Sequence, residues 1–180
     1  MLTIVIPTME LFIEQTSEFI SIPQTTLRLE HSLISISKWE RKWHKAYLKK
    51  EQKSYEENID YIRCMTITQN VNPSVYYALT TDNLISINKY INDPMTAVWF
   101  PKEDATPNTE ADVLTNEVIY YTMIKLGIPM EFEKIHLNAL LALIKVFEIK
   151  DAPKKKLSQA EINQRHRAIK KANRAKRRKV

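Results

Sequence analysis

The hydrophobic period of this chain changes once, and that change divides it. Residues 2–36 alternate apolar and polar side chains in short runs, LTIVI, EFISI and LRLEHSLISI, punctuated by Pro7 and Pro23. A period of two rich in β-branched residues marks half-buried strands. In the third run Leu27, Leu29, His31, Leu33 and Ser35 are predicted to share one face. From Ser37 onward apolar residues recur at helical spacing, about 3.6 residues. Ser37 with Glu40 and Ser54 with Glu57 each make a capping box. Asn72-Pro73 opens a short helix containing Val75, Tyr76 and Leu79. Thr81 or Asp82 can cap NLISINKYIN, which Pro94 obliges to end near Asp93.

The polar run PKEDATPNTEAD reads as an exposed loop. ADVLTNEVIYYTMIKL is then a helix of about four turns that stops at Gly127, a residue free to take the left-handed C-cap conformation. EFEKIHLNALLALIKVFEI follows, with Ile135, Leu137, Leu140, Leu141, Ile144 and Phe147 on helical spacing. The short link through Ile128-Pro129 predicts an antiparallel helical hairpin. The expected class is α+β, mainly α. A small N-terminal antiparallel β element spans 1–36, a helical domain ending in the hairpin spans 37–150, and a basic linker with a C-terminal helix opened by Ser158 and Glu161 spans 151–180.

Composition narrows the chemistry. Glycine occurs once in 180 residues, whereas a phosphate-cradling loop needs several so that backbone can approach the anion. Walker and Rossmann chemistry are therefore close to excluded. Cys64 is the sole cysteine, which rules out an intrachain disulfide and any CxxC motif and suits a cytoplasmic protein. The opening MLTIVIPTMELFIE has no basic lead and soon meets Glu10 and Glu14, so it is read as strands rather than a signal peptide. No uncharged apolar stretch reaches the roughly 20 residues of a membrane span; IHLNALLALIKVFEI is shorter and is broken by Lys145.

The net charge of +6 is unevenly distributed. Residues 151–180 hold 12 Lys and Arg against Asp151 and Glu161, a local net of +10, which leaves 15 against 19 for residues 1–150. Lys154, Lys155, Lys156, Arg165, Arg167, Lys170, Lys171, Arg174, Lys176, Arg177, Arg178 and Lys179 could neutralise phosphates without sequence preference. They could equally dock on an acidic protein or keep an assembly soluble.

Elsewhere the candidate chemistry is thin. Ile36, Trp39, Trp43 and Tyr47 stand at i, i+3, i+7 and i+11 of one stripe, with Lys38, Arg41, Lys42, Lys45 and Lys49 mostly off it. Core packing explains the indoles, with the lysines solvated; base stacking is the alternative. His31, His44, His136 and His166 show neither HxxxH nor HExxH spacing, so zinc has no support. Carboxylate pairs such as Glu57 with Asp60, or Glu131 with Glu133, read as surface charges. No nucleophile elbow surrounds any Ser or Thr, and Cys64 on an amphipathic helix reads as a buried thiol. The expectation is a protein without catalytic residues, metal or cofactor.

The phrases EHSLISISKWERKWHKAYL, IDYIRCMTI, INDPMTAVWF, EVIYYTMIKLGIPMEFEKIHLNALLALIKV and APKKKLSQAEINQRHRAIKKANRAKRRK together resemble a family of small proteins from long-tailed bacteriophages, the tail assembly chaperones. The resemblance covers most of residues 27–177 in order and leaves 1–26 outside. It implies a non-catalytic protein of the host cytoplasm that binds the tape measure protein during tail morphogenesis. The major tail protein is a second partner, and homo-oligomerisation is compatible with it. A tape measure protein is a very long helical chain with exposed apolar stripes, so its chaperone needs apolar grooves between helices. The Gly127 hairpin and the tryptophan stripe would supply them, with Trp39, Trp43, Tyr47, Trp99, Tyr120 and Tyr121 as partner contacts; an indole takes that role if it is exposed, and then meets a partner helix rather than a base. The alternatives are a phage nucleic-acid-binding protein that uses the basic tail, and a structural head-tail connector or tail component.

Overall fold

The computed structural model describes residues 1–13, 18–98 and 114–151. Trp99, the PKEDATPNTEAD run and the basic tail with its Ser158–Glu161 box lie outside the described residues. By compactness the chain divides into Met1–Phe147 and Glu148–Val180, and the architecture below is that of the first unit. It is α+β with a helical majority.

The N-terminal element is one antiparallel ribbon broken in the middle. Its outer half pairs β1 (Leu2–Ile6) with β4 (Thr25–Leu29), and its inner half pairs β2 (Met9–Ile13) with β3 (Glu18–Ile22). Ile6 lies opposite Thr25 and Met9 opposite Ile22, so Pro7-Thr8 and Pro23-Gln24 face each other at the break. Proline has no N–H for a ladder, and here two prolines interrupt both strands at the same level. The remaining tie is a hydrogen bond from the Gln24 amide to Thr8 Oγ1 at 3.1 Å. Ile4, Ile6, Ile22, Leu27 and Leu29 are buried, while Val5, Phe12 and Phe19 on the other face are exposed, the alternation a strand imposes.

The strand period ends earlier than its pattern suggested. β4 stops at Leu29, and α1 (Leu33–Trp43) begins five residues before the Ser37 box would place it. Ser32 is the N-cap: Ser35 Oγ accepts from the Ser32 amide at 3.0 Å, and Ser32 Oγ from the Ser35 amide at 3.4 Å. This serine pair satisfies the first-turn donors, so Ser37 and Glu40 sit inside the helix. His31, Leu33 and Ser35 are buried, the last two as helix residues. α1 ends at His44, in the left-handed conformation with φ 52°, and Tyr47 is therefore not part of its stripe.

α2 (Tyr55–Met65) starts at the Ser54–Glu57 box. Its C-terminus closes the free edge of β4: the Glu30 amide donates to Met65 O at 2.9 Å and the Ile67 amide to Arg28 O at 2.8 Å. A 3-10 helix, Pro73–Ala78, is followed by α3 (Thr81–Ile91), capped by Thr80 one residue ahead of the expected Thr81. α4 (Asn116–Lys125) stops before Gly127, whose φ is 66°, and the Ile128 amide returns to Met123 O at 2.9 Å. The link to α5 (Leu137–Asp151) runs through residues 126–136 and contains a second 3-10 helix, Met130–Lys134, so it is longer than the tight turn the sequence suggested. Both α4 and this 3-10 helix pack on α1. Residues of the ribbon (Ile6, Leu27, Leu29) share one core with those of α1 (Ile36, Trp39), α2 (Ile59, Ile62), α4 (Ile119, Met123) and α5 (Leu137, Leu140).

The start of α4 is capped from another helix. Thr115, at its N-cap, makes no side-chain cap bond. Instead buried Glu40 of α1 accepts from the Asn116 amide at 2.9 Å and from Asn116 Nδ2 at 2.5 Å, while its other oxygen takes the Tyr47 amide at 2.7 Å. One carboxylate thus satisfies three donors and favours the positive end of a helix dipole. Glu40→Ala, which strands those donors, is expected to destabilise the protein by about 3 kcal/mol. Glu40→Gln, which keeps an acceptor, should cost less. Urea denaturation checks this, and an unmoved midpoint for Glu40→Ala would remove the carboxylate from the ledger of structural contacts.

Candidate functional site

The stripe of α1 leads inward. Trp39 is 1% exposed and donates its indole N–H to Glu57 O at 2.9 Å; a side chain so enclosed has no surface for a partner, which corrects its placement among the partner contacts. Half-buried Trp43 donates to Asp60 Oδ2 at 2.9 Å. Tyr47, beyond the helix, folds back so that its ring stands 5.2 Å from Trp39 and stacks on Tyr61 at 3.8 Å between centroids. The series continues from Tyr61 to His31 (5.8 Å), from His31 to His136 (5.0 Å) and from His136 to Tyr90 (4.8 Å). A continuous aromatic ladder therefore joins α1, α2, α3 and the head of α5.

The charges around it are not merely solvated. Lys42 pairs with Asp60 and Lys45 with Glu57, each at 2.5 Å, and Lys53 Nζ lies 4.5 Å from the Tyr47 ring centroid. Glu57 and Asp60 are buried, contrary to the surface pair that the sequence suggested, because each is held by an indole or its backbone together with a lysine. The Lys45 ammonium and the Ser54 amide hold the Glu57 carboxyl below its ordinary range. Lys53 is shifted downward by burial. Half-buried Cys64 is pushed up to about 11 by burial and then by the Asp60 charge, so the thiol stays protonated and a poor nucleophile at neutral pH.

Two histidines that spacing did not connect meet at the centre of the ladder. Ser32 bridges to His136, and the Leu137 amide donates to His31 O at 2.7 Å, so α5 is tied to the start of α1. His136 donates from Nε2 to Tyr90 O at 3.0 Å, and its Nδ1 accepts the Asn138 amide at 3.2 Å. Both nitrogens are thereby committed in the neutral ring. His31 Nδ1 is hydrogen-bonded to the Tyr61 hydroxyl at 2.5 Å. Burial, and secondarily the neighbouring His136, lower His31 from 6.5 to about 4. Burial also lowers His136, against the opposing pull of the Tyr90 carbonyl and Glu30. Among the described residues no group of three His, Cys, Asp or Glu could hold a metal ion, and no helix is long and apolar enough to cross a membrane.

Beside the ladder lies a groove of about 370 Å³ between α2 and α3. Tyr47 and Tyr61 line it from the ladder side. Ile59 and Ile62 come from α2, and Leu84, Ile87 and Ile91 from α3, with Asn58, Asn88 and Asn92 supplying amides. Tyr55 and Leu84 contribute exposed surface, 62% and 37%. Helical spacing generates the lining, because Tyr55, Ile59 and Ile62 stand at i, i+4 and i+7, and Leu84, Ile87 and Ile91 at i, i+3 and i+7. That periodicity is visible in the sequence; what hides it is that an apolar helix face pointing to a groove reads like one pointing to the core. A second cavity of about 460 Å³ is lined by Glu40, Arg41, His44, Lys45 and Glu117. Three of those charges are already engaged: Glu40 by Asn116 and Tyr47, Lys45 by Glu57, and Glu117 by Thr115.

Of the other predicted contacts, half-buried Tyr120 donates to Glu133 Oε2 at 2.8 Å, and Tyr121 is exposed on α4. Trp99 and the twelve tail cations lie outside the described residues. The structure brings Trp39, Trp43 and Tyr47 together and leaves Tyr120 and Tyr121 apart from them, on α4.

The lowered histidines make stability depend on acid. Their folded values lie below the unfolded one, so stability is complete above about pH 6.5 and is lost as pH falls toward 4, where folded protein would have to bury the proton beside His136, Tyr61 and Tyr47. His31 alone should account for about 3 kcal/mol across that window. Denaturation midpoints at pH 7 and pH 4.5 are expected to differ accordingly, and His31→Gln should flatten the slope; an unchanged slope would locate acid sensitivity elsewhere. Comparison of the chain with protein-family models, with curated proteins and with solved structures found no match.

Proposed function

We propose that this protein is a bacteriophage tail assembly chaperone that holds the tape measure protein by its apolar helical stripes, without catalysis. The observation that carries the reading is the open apolar groove between α2 and α3. A helix laid into such a groove presents anchors at i, i+3, i+4 and i+7, and the groove offers Ile59, Ile62, Leu84, Ile87 and Ile91 to them. Its tyrosines and asparagines suit a transient partner, since aromatic rings provide area at little entropic cost and amides accept varied polar edges. Released chain can leave without a covalent step.

The groove and not the tryptophan stripe is the docking surface in this proposal, because Trp39 is enclosed. Tyr47 keeps a role, as part of the groove lining. The basic tail acts as an accessory that raises encounter with acidic stretches of the partner.

Binding of an apolar, helical tape measure segment tests the reading. Leu84→Asp combined with Tyr55→Ala alters exposed groove residues and is expected to weaken binding at least about tenfold with little change in the thermal midpoint. Undiminished affinity in that variant would contradict the proposal. Salt-steep binding to random DNA that disappears on deleting residues 151–180, with no affinity for the segment, would favour the nucleic-acid alternative.

A further inference from the structure

α4 is apolar on two faces. Ile119 and Met123 point into the core, yet Val118, Tyr121 and Ile124 are 40%, 65% and 69% exposed. At about 100° per residue Val118, Tyr121 and Ile124 fall, with Leu114 just before the helix, within about a third of the helix circumference. Among the described residues, the second of these apolar faces has no covering element, and a patch of this kind marks a contact surface.

The charges on this face identify what covers it. Glu117 and Lys125 are both exposed and lie on the same third of the helix. They stand four residues before and four residues after Tyr121, and Val118 and Ile124 stand three before and three after. The pattern is therefore its own complement when the helix is reversed. We infer that a second copy of this chain covers the face, its α4 packed antiparallel on the first about a two-fold axis at Tyr121. In that arrangement the two Tyr121 rings meet, each Val118 faces Ile124 of the other copy, and each Glu117 faces Lys125 of the other copy. A two-fold contact makes every pairing twice, and a parallel arrangement would instead set Glu117 against Glu117. Thr115, and more weakly the Arg41 charge, already act on the exposed Glu117 carboxylate within its own chain; a carboxylate has further acceptor sites to offer Lys125 of the other copy.

A patch built on one short helix is small beside a standard interface of about 1,600 Å², and the dimer is accordingly a weak, reversible one. The face shares no residue with the α2–α3 groove lining, so self-association stands independently of the proposed partner site.

Sedimentation equilibrium of the full chain at low ionic strength tests the inference. Wild type is expected to show a reversible monomer–dimer equilibrium. Glu117→Lys and Lys125→Glu should each weaken it about tenfold, through two like-charge pairs, and the double exchange should restore it. Tyr121→Cys in a Cys64→Ala background should form a disulfide-linked dimer on mild oxidation. A strictly monomeric wild type at millimolar concentration, a dimer indifferent to Glu117→Lys, or failure of the double exchange to restore association would overturn the inference. Because all charge changes are on exposed positions, thermal midpoints near that of wild type separate loss of the interface from loss of the fold.

Discussion

The aromatic ladder from Trp43 to Tyr90 is the contact on which the remainder of the molecule rests. The seven rings come from six segments: Trp39 and Trp43 from α1, Tyr47 from the turn after it, Tyr61 from α2, His31 from the β4–α1 joint, His136 from the head of α5 and Tyr90 from α3. Well-packed aromatic pairs contribute about 0.5–1.5 kcal/mol beyond area burial, and truncating one such ring in a core costs about 3–5 kcal/mol. The larger consequence is geometric. Once Tyr47 is stacked on Tyr61, the turn after α1 is fixed against α2, and the backbone of that turn is where Glu40 finds one of its donors. Glu40 then sets the origin of α4. The ribbon enters through its buried face and through the β4 edge that the end of α2 closes, and it leads into the ladder at His31.

Buried polar groups accompany the ladder, and the indole, imidazole and carboxylate groups along it have partners. The indole nitrogens reach Glu57 O and Asp60, the imidazoles reach Tyr61 and Tyr90, and the carboxylates are met by lysines that stay half in water. A lysine can do this because its apolar stem lies along the rings while its ammonium remains hydrated. This explains why a stretch as cationic as SKWERKWHKAYL can cover a core. It also separates the two surfaces left over. The α2–α3 groove is lined on one side by Tyr47 and Tyr61 of the ladder, which fix that wall. α4 is held through Glu40, the Tyr120–Glu133 hydrogen bond and its inner apolar residues, which leaves its outer face exposed.

Local chemistry was legible in the sequence wherever one element decided it. The Ser54–Glu57 box, the break at Pro7 and Pro23 and the left-handed Gly127 depend on backbone rules that act over a few residues. The Ser37–Glu40 box failed because an earlier serine pair, Ser32 with Ser35, offered the same satisfaction one turn sooner, and because Glu40 was required by Asn116, 76 positions away. The fourth member of the tryptophan stripe failed in a similar manner: Tyr47 obeys the spacing but His44 turns the backbone before it. Contacts such as His31 with His136 or Trp39 with Glu57 join segments that no periodicity relates, and their residues look like unremarkable polar positions until the chain is folded. Fold class and helix positions were thus readable, whereas the groove was not, since it exists only between two helices whose separation is a tertiary property.

The central claim, that a partner helix lies between α2 and α3 on a floor supported by the ladder, is reached most directly by hydrogen–deuterium exchange of the full chain with and without a synthetic amphipathic helix bearing one apolar stripe. The account expects added protection confined to residues 55–65 and 81–92. Protection confined to residues 152–180, or none anywhere while the peptide is bound, would contradict it.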